Sequence, residues 1–130
     1  MNEKSEAVKI RSFTDLNAWK ESHKLVIMVY KTTKVFPREE LYSLVDQMRR
    51  AAISITSNIA EGFGRQTYKE KIQFYYIAQG SLTELKNQLL LAKDIEYLQR
   101  EVFDEVAEQA NTAHKLLSGL IKKSKEILQS

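Results

Sequence analysis

One stretch constrains the fold of this chain more than any other: Ser43–Arg65, SLVDQMRRAAISITSNIAEGFGR. At about 100° per residue it resolves into two stripes. Leu41, Leu44, Met48, Ala51, Ala52, Ile55 and Ile59 form a continuous apolar face, the inner side of a packed helix. Beside it Ser43, Gln47, Arg50, Ser54, Asn58 and Glu61 follow one another at threes and fours. This second line is too polar for a core and too regular in its small residues for a merely wet surface. It predicts a face made for contact, a second copy of the chain included.

The breaks around this helix are few. Phe36-Pro37-Arg38 ends a first helix, because the residue before proline is pushed out of the α region. Gly62-Phe63-Gly64 ends the second as a glycine C-cap. Thr67-Tyr68-Lys69-Glu70 reads as a capping box opening a third. A weaker break near Tyr97–Glu101 rests on fading periodicity and a renewed acidic start. The predicted helices are Asp15–Val35, Leu41–Glu61, Tyr68–Glu96 and Glu101–Leu128. Residues 1–12 are polar and expected to be flexible; residues 13–130 form a single domain.

Each helix carries a predicted core seam. The first is Leu16, Trp19, His23, Val26, Tyr30 and Thr33. The third is Tyr75, Ala78, Leu82, Leu85, Leu89 and Ala92; the fourth is Val102, Val106, Ala110, Ala113, Leu117 and Leu120. One proline and four glycines leave little turn chemistry for an all-β fold. Short links between long helices predict an all-α, antiparallel up-down-up-down four-helix bundle, although register leaves other connectivities open. Leu25 and Val29 fall outside the first seam, and Ile77, Leu91 and Ile95 line a flank of the third helix among Ser81, Glu84 and Gln88. Apolar area outside a core marks an interface, so a homo-oligomer joined through the flanks of helices two and three is expected.

The chain excludes more chemistry than it offers. It has no cysteine, hence no disulfide, thiolate nucleophile or cysteine-held zinc. No apolar run approaches the roughly 20 residues of a membrane span, and MNEKSEAVKIRSF lacks the apolar segment of a signal peptide. A cytoplasmic protein with no membrane partner is expected. Lys20 and Asn111 stand three residues before His23 and His114, where a di-iron bundle needs glutamates. Both histidines therefore read as structural, with no metal and no cofactor expected. With no P-loop, dinucleotide turn or credible catalytic triad, no enzyme and no small-molecule substrate are expected either.

The net charge is +3, with seven Lys/Arg against four Asp/Glu in residues 1–37. Lys20, Lys24, Lys31 and Lys34 fall within an arc of about 80°, with Arg38 just beyond. Such a stripe is most often a solvated face. Repeated around an assembly it would multiply its charge and could track a phosphate backbone, which makes it the candidate RNA-binding surface. Without an RNP motif or recognition helix, that binding would be weakly sequence-specific. The last helix is acidic early (Glu101, Asp104, Glu105, Glu108) and basic late (Lys115, Lys122, Lys123, Lys125), a pattern that complements the helix dipole.

Among the polar residues, Gln47, Arg50, Ser54, Asn58, Glu61, Ser81 and Glu84 form the candidate oligomer interface or structural cluster. Arg50 and Glu61 are about 16 Å apart on one helix and cannot pair. Arg50 is expected to reach a carboxylate on another helix, Glu84 being the best candidate, because its planar fork suits interface ion pairs. Asn58 and Glu61 are expected to bond exposed backbone where helix two ends. Gly80-Ser81 in mid-helix costs about 1 kcal/mol against alanine, a cost that close helix approach would offset.

Several of these residues also carry a family pattern. Phe13, Asp15, Leu16 and Trp19 are followed by Val29-Tyr30, Phe36-Pro37 and Glu40. Next come Leu44, Gln47, Arg50-Ala51-Ala52, Ser54-Ile55 and Asn58-Ile59-Ala60-Glu61-Gly62, then Gly80-Ser81-Leu82 and Glu84-Leu85. In order, these blocks resemble the four-helix bundle proteins encoded in intervening sequences of bacterial 23S ribosomal RNA genes. The resemblance covers about residues 13–98. Many relatives carry proline after Ser-Ile, where this chain has Thr56, so a kink in helix two is not implied. The resemblance implies a ring-like homopentamer without established enzymatic activity. Through the related accessory subunit of diversity-generating retroelements, it also implies RNA or a nucleic-acid enzyme as partner.

Overall fold

The structure, a computed structural model, describes residues 9–130. The flexibility expected of residues 1–12 lies largely outside the described residues. A 3-10 turn, Phe13–Asp15, leads into α1 (Asn17–Thr33). A second, Arg38–Glu40, leads into α2 (Leu44–Phe63), followed by α3 (Tyr68–Asp94) and α4 (Arg100–Gln129). Among the described residues there is no strand; the fold is all-α with four helices. α1 packs on α2 and α4, and α3 packs on the same two helices from the other side.

The ends are set by local chemistry. Ser12 and Asp15 close a capping box, with the Asp15 carboxylate accepting from the backbone N–H groups of Arg11 and Ser12. Those donors hold the Asp15 carboxyl below its usual value. α2 begins three residues later than the periodicity suggests, because Pro37 is extended and Arg38–Glu40 wind as a 3-10 turn. Glu40 then holds the junction: one carboxylate oxygen accepts from the Leu44 N–H at 3.3 Å, the other from the Tyr97 hydroxyl at 2.8 Å. Thr67 caps α3 by accepting from the Glu70 N–H at 3.2 Å. α3 ends at Ile95 and Glu96, the latter in the left-handed region at φ 67°.

The predicted seams of α2, α3 and α4 are the core. Met48, Ile55, Ile59, Tyr75, Leu82, Leu85, Leu89, Val106 and Leu117 are among its buried side chains. At the margins Leu41 is exposed, and Val102 and Leu120 are only partly buried against the core. The α4 row continues instead to Ile121 and Ser124.

Helix α1 is rotated from its expected seam. Its buried row is Ala18, Ser22, Leu25, Val29 and Thr33. Leu25 and Val29, expected outside, are fully buried, whereas His23 and Tyr30 face out. Leu16, Trp19 and Val26 pack on the margin of the core. Both rows obey three-four spacing; the small Ala18 and Ser22 let this side of the helix come closest to its neighbours. Thr33 ends the row with its hydroxyl donating to the Val29 carbonyl and accepting from Arg49 Nε at 3.0 Å, which ties α1 to α2.

The close helix approach lies at Gly62, not Gly80. A Cβ on Gly62 would stand 2.8 Å from Tyr75 Cε1 and 2.9 Å from Phe74 Cβ. A Cβ on Gly80 would meet nothing within 4 Å.

Candidate functional site

The polar line of α2 meets α3 at one point. Ser81 on α3 donates its hydroxyl to Ser54 Oγ at 2.8 Å, and Asn58 Nδ2 donates to Ser54 Oγ at 3.0 Å and to the Ser54 carbonyl at 2.8 Å. Three of the seven predicted cluster residues are thus joined. The other four are not. Arg50 binds Asp46 of its own helix at 2.9 Å, and Glu84 accepts from Gln88 at 3.3 Å, so the expected Arg50–Glu84 pair is not made within the chain. Glu61 pairs with Arg65, and Asn58 reaches back to Ser54 instead of capping the helix end. The reason is reach: Arg50, Asn58 and Glu84 each find a partner four residues away on their own helix, and Glu61 finds Arg65 just past the end of α2. Gln47 is exposed. Ile77, Leu91 and Ile95 are exposed along the neighbouring flank of α3.

The lysine stripe of α1 falls where its rotated core row requires. By register, Lys20, Lys24, Lys31 and Lys34 stand opposite Ala18, Ser22, Leu25 and Val29, and all four lysines are exposed, as is Arg38. Lys24 approaches Glu21 at 3.5 Å; no salt bridge engages Lys20, Lys31, Lys34 or Arg38 among the described residues. The two ends of the stripe differ. Lys31 shares a groove with Glu96 and Glu105, whereas Lys20 is far from these carboxylates along the helix.

Two grooves escaped sequence reasoning. One, of about 630 Å³ between α1 and α2, is lined by Tyr30, Leu41, Tyr42, Arg49 and Ile53 among others. Tyr42 is 91% exposed, and the Arg49 guanidinium lies 4.5 Å from the centre of the Tyr30 ring. The second, about 490 Å³, lies between α3 and α4 and includes Tyr76, Lys122 and Lys125. The signal that could have found them is an aromatic residue placed off every core row.

The histidines have separate surroundings. His23 stacks on Trp19, with ring centres 4.6 Å apart. His114 Nδ1 lies 2.8 Å from Lys86 Nζ, and burial followed by that ammonium holds its pKa below the usual value. Among the described residues no group of three His, Cys, Asp or Glu side chains gathers as a metal site. No helix there is long and apolar enough to cross a membrane.

Known proteins match this architecture. The chain superposes with a TM-score of 0.75 on a protein of unknown function from the S23 ribosomal protein family of Bacteroides thetaiotaomicron VPI-5482. The two are 24% identical, over 81% of this chain and 95% of that one, a likeness of fold. No curated protein matches the chain in sequence. The profile of the 23S rRNA-intervening sequence protein family matches residues 14–119. That match spans most of the sequence, and the chain belongs to the family of 23S rRNA-intervening sequence proteins.

Proposed function

We propose that this chain is a non-enzymatic cytoplasmic scaffold that assembles with copies of itself and engages the phosphate backbone of structured RNA through α1. The observation that carries the RNA reading is the position of Lys20, Lys24, Lys31 and Lys34 opposite the buried row of α1. The side of α1 that takes no part in the core thereby carries these four cations around exposed Ile27. Assembly presents the stripe once per subunit, and phosphate contacts accumulate with each copy. A nucleic-acid enzyme is the second candidate partner for the same stripe.

Assembly uses the outer faces of α2 and α3, where Ile77 is exposed one turn from Ser81 of the Ser54–Asn58–Ser81 cluster and Leu91 and Ile95 are exposed further along. A pentameric ring is the form that the family pattern favours. The up-down-up-down arrangement is supported by cross-helix partners whose numbers fall as their counterparts rise. Gln79 meets Ser118 and Lys86 meets His114; Ser54 meets Ser81, and Gly62 lies against Tyr75.

RNA binding measured across a salt series tests this function, wild type against the Lys20/Lys24/Lys31/Lys34→Glu variant. Wild-type affinity should fall steeply with salt, and the variant should bind more weakly with a flatter slope. Equal binding by the two proteins would remove α1 from the contact. No binding by either at low salt would leave an assembly that binds no nucleic acid.

A further inference from the structure

The acid-to-base order of α4 runs from one end of the bundle to the other. The start of α1, the end of α2, the start of α3 and the end of α4 meet around one pit, where Leu16, Phe63, Tyr68 and Ile127 come together. At the opposite end Val35, Tyr97 and Val102 share a groove with Glu96 and Glu105. α4 begins at that end with Arg100, Glu101, Asp104, Glu105 and Glu108, Arg100 pairing with Asp104 and Lys31 of α1 lining the same groove. It finishes at the other with Lys122, Lys123 and Lys125 against a single Glu126. The start of α3 adds Lys69 and Glu70 there, which offset each other; Lys71 is already committed to the Phe63 carbonyl.

The second groove opens at this basic end. Tyr76, 42% exposed, forms one wall, and Lys125 Nζ lies 5.1 Å from the centre of its ring. Gln79 donates to Ser118 Oγ at 3.3 Å and braces the groove across the two helices. Lys122 and Gln129 complete the lining, with Glu126 the one carboxylate in it. Neither Lys122 nor Lys125 enters a salt bridge among the described residues.

We infer that this α3–α4 groove takes an unpaired stretch of RNA, a base stacking on Tyr76 and the adjoining phosphates resting on Lys122 and Lys125. The inference rests on the RNA reading above and adds which part of the RNA is held. An aromatic face beside flexible cations suits single strands, because every base offers a stacking surface and a duplex hides it. The Gln129 amide can both donate to and accept from a base edge. Lys115 is exposed on the outer side of α4 by register.

The test uses the full-length protein, titrated by fluorescence anisotropy with a short oligouridylate, a blunt RNA duplex of equal length and polyglutamate. Tyr76→Leu should weaken oligouridylate binding about tenfold, leave duplex binding unchanged and keep the helical circular dichroism. Tyr76→Phe should retain the affinity. Lys122→Glu with Lys125→Glu should weaken oligouridylate binding and flatten its salt dependence. An unchanged oligouridylate affinity in Tyr76→Leu would overturn the groove assignment while leaving the α1 contact standing, provided the wild type binds duplex. Polyglutamate bound as tightly as oligouridylate would also overturn it, in favour of an acidic polypeptide. A wild type that binds neither RNA would overturn both readings.

Discussion

Gly62 lies in the last turn of α2 and Gly80 in the interior of α3, and both have helical backbone. Their surroundings separate them. Gly62→Ala would push a methyl against the Tyr75 ring and Phe74 Cβ, backed by α3 itself, and should destabilise the fold by about 1–3 kcal/mol. Gly80→Ala enters open space and should raise the melting temperature through a helix-propensity gain of up to about 1 kcal/mol. Thermal unfolding followed by circular dichroism decides both; similar shifts at the two sites would contradict these packing assignments. His114 supplies a second residue-scale expectation. Lys86 can only donate, so the neutral ring accepts at Nδ1 and carries its proton on Nε2. Its folded pKa lies below the ordinary 6.5, so on acidification through that value the unfolded chain takes up a proton first. Stability should fall from neutral pH through 6.5 until the folded ring protonates, and His114→Gln should flatten that part of the profile. An identical pH dependence in the variant would remove His114 from it. Neither the glycine contrast nor the Lys86–His114 contact was legible in the sequence, because each depends on which helix lies opposite.

At the scale of elements the sequence was informative wherever a row was unambiguous. The seams of α2 and α3 follow from apolar residues at threes and fours with polar residues between. In α1 two rows satisfy the same rule, and the row with the larger Leu16, Trp19 and Val26 is the one that the fold leaves at the margin of the core. The better signal was the lysine stripe, since the face opposite a run of cations is the one left to bury. Leu25→Ala should therefore cost about 2–5 kcal/mol in denaturant unfolding. His23→Ala should stay within about 0.5 kcal/mol of wild type. Equal losses at the two positions would restore the original seam. The α3–α4 break was faint for a related reason. Glu96 occupies the left-handed position that glycine usually fills, so the commonest helix-stop residue is missing from the sequence.

For the whole molecule, a helix number and a core are local patterns, whereas a contact face is defined by the surface that meets it. That is why the polar line of α2 was visible in the sequence but its pairing was not. Arg50 lies at the surface with Asp46, a pair worth about 0.3–0.5 kcal/mol within one helix. Arg50→Glu should thus leave the subunit folded while weakening assembly if Arg50 stands at a subunit boundary. Glu84→Arg would restore assembly only if the two residues meet between chains, and additive losses would separate them. The RNA contacts proposed for α1 and for the α3–α4 groove would gain avidity from repetition, so both depend on assembly. Light scattering at micromolar concentration measures it most directly. A mass several times that of the 15.1 kDa chain is expected, with a pentamer as the expected ring, and a mass equal to the 15.1 kDa chain would overturn the proposed assembly.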